Sequence, residues 1–237
     1  MEVSEAPTSI GLEGIPNTID ERDHCRFTTP FMSMEEPHQI FDSTKPLVLP
    51  QFRKTYAAFT NIGLRPTQED RLVMCPTFFR EDASFFGVFD GTVGDDASHF
   101  ISRNIVKHIC ACEEFSSGSI FRDEPNDVPS TDSYAERIGA VMKTAFLNAD
   151  QELIDHCAER NLHYASSTGV TAFLWQNLLT VAHIGDSKAC IARIIDGKIQ
   201  PEWLTIDHKP NMPLELQRIQ GAGGSLAWLH GNKPYIR

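Results

Sequence analysis

The spacing of apolar and polar positions divides the 237-residue chain into stretches of different rhythm. Residues 1–50 are rich in Pro, Glu, Thr and Ser and keep no period, so they are expected to form a largely disordered N-terminal extension. Phe31, Met32, Ile40 and Phe41 are their apolar points, able to dock on a neighbour. From Thr55 the pattern becomes regular. Residues 56–63 read as a strand, followed by a loop through Arg65 and Pro66 and a second strand over 71–75. Residues 84–89 form a short apolar run that stops at Asp90-Gly91, the mark of a buried strand ending in a turn. Asp95 or Asp96 is placed to cap a helix over 97–112. Residues 115–132 are Ser-, Gly-, Pro- and Asp-rich and read as a surface insertion. A second helix over 134–161 aligns Ile138, Val141, Met142, Ala145, Ala149, Leu153 and Ile154 on one face.

The following section alternates differently. Three β-prone runs, 167–175, 178–184 and 188–195, are separated by Gln176-Asn177 and Gly185-Asp186-Ser187, and such short connections predict antiparallel hairpins. Asp196-Gly197 supplies another hairpin turn, and a helix over 213–220 stops at Gly221-Ala222-Gly223-Gly224. Two strands, two long helices and a meander predict an α+β fold over residues 51–237, with mostly antiparallel sheets flanked by helices.

Charge narrows the function classes. The net charge is −11 and no long Lys/Arg run occurs, which argues against nucleic acid as a partner. An acidic protein that handles phosphate needs local cations, and metal ions are the natural source. The six cysteines are scattered; Cys110-Ala111-Cys112 lacks a second pair and reads as buried free thiols within a helix. Met1-Glu2 opens an acidic, polar segment with no signal-peptide core and no Met-Gly acylation start, and no apolar run reaches the length of a membrane span. The expected setting is intracellular, cytoplasmic or nuclear.

Three loops carry candidate chemistry. Asp90, at a strand end beside Gly91, suits a hard cation with oxygen ligands, or else simply shapes an Asx turn. Glu69-Asp70 places two carboxylates side by side, to be relieved by a cation, by Arg65 and Arg71, or by water. Gly185-Asp186-Ser187 is a tight turn whose aspartate serves geometry or chemistry.

Taken together these segments resemble a known family. Gly63-Leu64-Arg65-Pro66-Thr67-Gln68-Glu69-Asp70-Arg71 looks like the opening motif of the metal-dependent, type 2C protein Ser/Thr phosphatases, and Phe86-Gly87-Val88-Phe89-Asp90-Gly91 like their second. Ser167 to Ala172 resembles their Ser-Gly-Thr-Thr-Ala strand, and Val181 to Ala189 their Gly-Asp-Ser segment. Leu204-Thr205-Ile206-Asp207-His208-Lys209-Pro210 with Glu215 to Gly224 is similar to the Asp-His-Lys-Pro segment and the helix that follows it. Five motifs stand in family order, which is far more specific than any one of them.

The resemblance implies a layered β-sandwich flanked by helices and hydrolysis of phosphoserine or phosphothreonine on phosphoprotein substrates by a monomeric enzyme. It implies two or more Mg²⁺ or Mn²⁺ ions, with Asp90 bridging two of them and the Gly91 carbonyl completing one shell. Glu69 and Asp70 would hold waters around the ions, Asp186 would assist a third, weaker position, and Arg65 would grip the substrate phosphate. No cysteine stands in a Cys-x5-Arg loop, so thiol chemistry is not implied.

Two departures from the family pattern stand out. The family's Asp-Gly-His-Gly-Gly is here Asp90-Gly91-Thr92-Val93-Gly94, and threonine cannot donate a proton near neutral pH as imidazole can. His99, two turns into the expected helix and facing solvent or a helical neighbour, is not expected to substitute for it. The family's later Asp-Gly-x-x-Asp and Asp-Asn motifs do not follow Asp207. The chain is therefore read as the N-terminal two-thirds of the domain, incomplete at its C-terminus, with weak or no activity by itself. The alternative is a pseudophosphatase acting as a regulatory binding protein.

Overall fold

The computed structural model describes residues 55–121, 131–175, 178–229 and 233–236. The expectation of disorder for residues 1–50 lies outside them. In chain order the elements are β1 (Asp70–Cys75), β2 (Ala83–Thr92), α1 (Asp96–Ala111), α2 (Glu113–Ser116), a 3₁₀ turn (Ser119–Phe121), α3 (Thr131–Arg160), β3 (Ser166–Ser167), β4 (Gly169–Trp175), β5 (Leu178–Ile184), β6 (Cys190–Ile195), β7 (Lys198–Trp203), α4 (Pro213–Gly221), β8 (Leu226–Leu229) and β9 (Lys233–Ile236).

The principal sheet runs β1-β2-β4-β5, every pair antiparallel, with the short β3 also pairing with the end of β2. β6–β7 and β8–β9 are separate two-stranded hairpins. This is the mixed helix and antiparallel-sheet architecture the sequence predicts. One detail differs: β6 does not pair with β5 across the Gly185 turn but with β7. Gly185 sits at φ 82°, and residues 187–189 leave the strand before β6 begins.

Alternation in β2 decides what faces where. Phe85, Gly87, Phe89 and Gly91 are buried, while Val88, Asp90 and Thr92 are exposed. Pairs with period two share a face, so Asp90 lies on the side of the sheet away from the buried aromatic side chains. On the inner side, Phe85 pairs in register with Phe173, and Val73 and Cys75 of β1 join them in the core. α1 contributes Ile105, Val106 and Ile109, and α3 contributes Ile138, Val141, Met142, Ala145 and Ala149. The predicted α3 stripe continues through Leu153 to Cys157; Ile154 is half exposed and does not belong to it. His99 is exposed as expected, though in the first turn of α1 rather than its second.

Two expectations fail. Residues 55–62 form no strand; Tyr56 only leans on Phe86, ring centres 6.0 Å apart. Their β-prone side chains gain no ladder partner, and propensity without pairing does not make a strand. Residues 115–121 are not a surface insertion. α2 and the 3₁₀ turn tuck Phe115, Ile120 and Phe121 into the core, with Phe115 5.6 Å from Phe173 and Phe121 5.4 Å from Trp175. Ser and Gly set the composition of this stretch, but three large apolar side chains set its position. Residues 122–130 lie outside the described set.

Candidate active site

β1 and β2 build the centre of the site by register. Asp70 lies directly across from Asp90, so both carboxylates project from the same face of adjacent strands. Like charges opposite one another repel, and the effect is visible at Asp90. Partial desolvation of its otherwise exposed carboxyl pushes its pKa up, and the Asp70 carboxyl, which also shares a hydrogen bond with it, adds to the rise, followed by Asp186 and Glu69. Three acids from two other segments thus act on Asp90.

The backbone around them is tightly fixed. Gly91 N–H donates to the Glu69 carbonyl at 3.1 Å, and Gly94 N–H to Glu69 Oε1 at 3.2 Å. Ser98, in the first turn of α1, donates its hydroxyl to the same Glu69 carbonyl. A Cβ on Gly91 would stand 2.7 Å from the Gly94 carbonyl and 2.8 Å from both that of Glu69 and Ser98 Oγ, so only glycine fits. Asp95 occupies the N-cap position of α1 without a side-chain cap bond; its carboxylate pairs with Arg71 instead. Arg71 also donates to the carbonyls of Gln68 at 2.9 Å and Asp70 at 2.8 Å, tying β1 to the start of α1.

Thr168, between β3 and β4, holds Asp90 from the other side. Its N–H donates to the Asp90 carbonyl at 2.9 Å, and its hydroxyl accepts the Asp90 N–H at 3.1 Å. The same hydroxyl meets Ser187 Oγ at 2.6 Å, which links Asp90 to the Gly185 turn. Replacing Thr168 with valine keeps the shape and orphans the Asp90 N–H. It is expected to cost about 1 kcal/mol in urea unfolding, with Thr168→Ser recovering most of it.

The Asp207–Lys209 segment folds back onto this turn. His208 N–H donates to the Gly185 carbonyl at 2.9 Å, and the His208 ring stacks on His183 with centres 4.6 Å apart. Lys209 Nζ lies 3.3 Å from Asp186 and 3.2 Å from Asp207, and Lys188 Nζ lies 2.6 Å from Asp207. These bonds, first to Lys188 and then to Lys209, hold the Asp207 carboxyl below its ordinary value.

Of the residues singled out by sequence, Glu69, Asp70, Asp90 and Asp186 are therefore neighbours, with Gly91 beside them. Arg65 stands apart. It is exposed in the turn before β1, its N–H bonded to the Ile62 carbonyl at 3.1 Å, and its guanidinium makes no ion pair among the described residues. Thr168, Ser187, Ser98 and Lys209 were not assigned roles from sequence, although the first, second and fourth lie inside quoted motifs. Among the described residues no group of three or more His, Cys, Asp or Glu side chains is already arranged as a metal cage. The donor chemistry nevertheless fits a hard divalent cation: oxygen donors only, carrying mutual repulsion that a cation would relieve. No described helix is long and apolar enough to cross a membrane. The five described cysteines are free thiols, Cys112 buried and Cys110 partly so.

Known proteins resemble this chain in sequence and in fold. A rice (Oryza sativa subsp. japonica) protein named Probable protein phosphatase 2C 55 is 32% identical over 170 residues, 71% of this chain and 38% of the relative. Protein phosphatase 1B of Rattus norvegicus is 32% identical over 149 residues, 62% of this chain and 35% of the relative. The crystal structure of a serine-threonine phosphatase 2C from Toxoplasma gondii superposes with a TM-score of 0.69 at 38% identity, covering 76% of this chain and 58% of that one. The chain spans little more than a third of the length of those two curated relatives. The profile of the family described as Protein phosphatase 2C matches residues 55–233, and the chain belongs to that family.

Proposed function

We propose that this chain carries the metal- and phosphate-binding part of a protein phosphatase that hydrolyses phosphoserine and phosphothreonine with water. The observation that carries the reading is Asp70 facing Asp90 across two strands, with Glu69 and Asp186 adding to the same negative field. The family is metal dependent; which ions this chain takes, and how many, is part of the proposal: two or more Mg²⁺ or Mn²⁺.

Asp90 and the Gly91 carbonyl would hold the principal ions, and Asp186 a weaker further one. When bound, these cations supply Lewis acidity, lowering the pKa of a water and neutralising charge on the phosphoryl oxygens. Glu69 and Asp70 accept hydrogen bonds from waters at the site and so orient the attacking one. The Arg65 guanidinium is exposed and without an ion-pair partner among the described residues, which leaves both of its arms for two oxygens of a phosphate. Thr92 occupies the position from which the leaving oxygen would be met. Its hydroxyl can donate a hydrogen bond but not a proton at neutral pH, so alkyl leaving groups leave slowly while aryl ones, needing no proton, do not suffer.

A Thr92→His variant is therefore expected to raise hydrolysis of a phosphoserine peptide by about a hundredfold and leave 4-nitrophenyl phosphate nearly unchanged. An equal rise on both substrates would sink that role for position 92. Thr92 also favours a second reading, a pseudophosphatase that binds phosphoproteins without turnover. The deciding experiment is Mn²⁺-dependent phosphate release from a phosphothreonine peptide by the chain extended through the rest of the domain its relatives carry, against an Asp90→Asn control in the same extended chain. Slow release above the control supports the enzyme. Release from neither, with Mn²⁺ bound, supports the binding protein.

A further inference from the structure

The Asp207-His208-Lys209 segment carries a feature that the proposed hydrolysis does not use. Lys209 Nζ lies 3.3 Å from Asp186 Oδ2 and 3.2 Å from Asp207 Oδ2, so a single ammonium is shared between two carboxylates. Asp207 has a second cation of its own, Lys188, at 2.6 Å. Among the described residues, Lys209 is the one cation in contact with Asp186. The backbone that carries Lys209 is anchored next to this carboxylate by the His208 N–H bond to the Gly185 carbonyl at 2.9 Å and by the stacked His183–His208 rings. Lys209 itself is about half exposed, so its ammonium can turn between the two partners without repacking a core.

We infer that Lys209 is a positioning residue that competes with a divalent ion for Asp186, with Asp207 as the place its ammonium occupies once the ion binds. This rests on the reading of Asp186 given above and adds a threshold to it. In the absence of the ion, Lys209 neutralises Asp186 and keeps the Gly185–Ser187 turn, and through Thr168 the Asp90 strand end, in place. To bind at Asp186 a cation must first release that ammonium, which makes the position weak and raises the concentration at which it fills. Asp207 keeps the displacement cheap, since the ammonium moves from two carboxylates to one rather than into water alone. An exposed ion pair of this kind changes an equilibrium by up to about fivefold.

The test is calorimetric titration of the full chain with Mn²⁺ alone, followed to millimolar concentrations. Lys209→Met is expected to tighten the weak class of sites about fivefold and leave the tighter class unchanged, whereas Lys209→Arg, which keeps the charge, stays within about twofold of the wild type. Lys198→Met removes the same charge from the first residue of β7, at the tip of the β6–β7 hairpin, and is expected to change nothing. Circular dichroism spectra identical to the wild type check that each variant is folded. An unchanged or weakened weak class in Lys209→Met, or equal tightening in Lys198→Met, overturns the inference. Asp186→Asn separates the two readings. If it leaves the weak class intact, the assignment of Asp186 itself fails, and the competition with it. If it removes the weak class while Lys209→Met does nothing, only the competition fails.

Discussion

Gly91→Ala is expected to destabilise the fold by about 3 kcal/mol, the upper end of what overpacking a filled site costs. The new methyl would meet the Gly94 carbonyl at 2.7 Å and the Glu69 carbonyl at 2.8 Å, and neither can turn aside as a side chain could. Both belong to the loops that fix the acidic cluster. Relief of the clash must therefore break the Gly91–Glu69 bond of 3.1 Å or lift the start of α1, where Ser98 also lies within 2.8 Å. The midpoint of urea unfolding with an unchanged slope measures the loss. Gly139→Ala in α3, where nothing lies within 4 Å, serves as the control and is expected to stabilise slightly. Equal stability of Gly91→Ala and the wild type would mean that the β1–β2 loops are far softer than their bonding implies.

Asp90→Asn is expected to have opposite effects on stability and on chemistry. In the metal-free protein it removes one of two like charges held face to face, and stability at neutral pH should rise by a few tenths to about 1 kcal/mol. The pH dependence gives the sign independently. The Asp90 pKa is raised in the folded state, first by partial desolvation and then by Asp70, so folding favours the protonated form. Stability from this group is present below the ordinary carboxylate range and is lost as pH rises through the raised value. The wild type should lose this increment between acidic and neutral pH, and the asparagine variant should not. Phosphate release by the variant should fall to background. Thermal unfolding at a series of pH values without divalent ions reads the first effect, and a variant less stable than the wild type at neutral pH would contradict it.

Much of this could be read from the sequence, and the failures have local causes. The segment before Asp90 predicted β2 because a short continuous apolar run and a terminal Asp-Gly leave little choice. The acidic residues were found because five motifs share their order. Their mutual placement was not legible, since the pairing of Asp70 with Asp90 is a fact of register that no single strand contains. The helical stripe of α3 was right as far as Leu153, then drifted by a residue because Ile154 looks as apolar as Cys157. The misplaced strand at 56–63 and the misread segment at 115–121 share one origin. Local composition was read without the partner, absent in the first case and an aromatic core in the second. Thr168 and Lys209 act by touching residues 78 and 23 positions away, and only the fold shows such contacts.

The central claim is that the acids around Asp90 form a divalent-cation site. The most direct test is the unfolding temperature of the wild type and of Asp90→Asn, each with and without Mn²⁺ at neutral pH. Binding at about a hundred times the dissociation constant stabilises by roughly 2.7 kcal/mol, or about 5–10 °C for a domain of this size. The account predicts that increment for the wild type and almost none for Asp90→Asn, although the variant starts from the higher metal-free temperature. Equal increments in the two proteins, or none in the wild type, would contradict it.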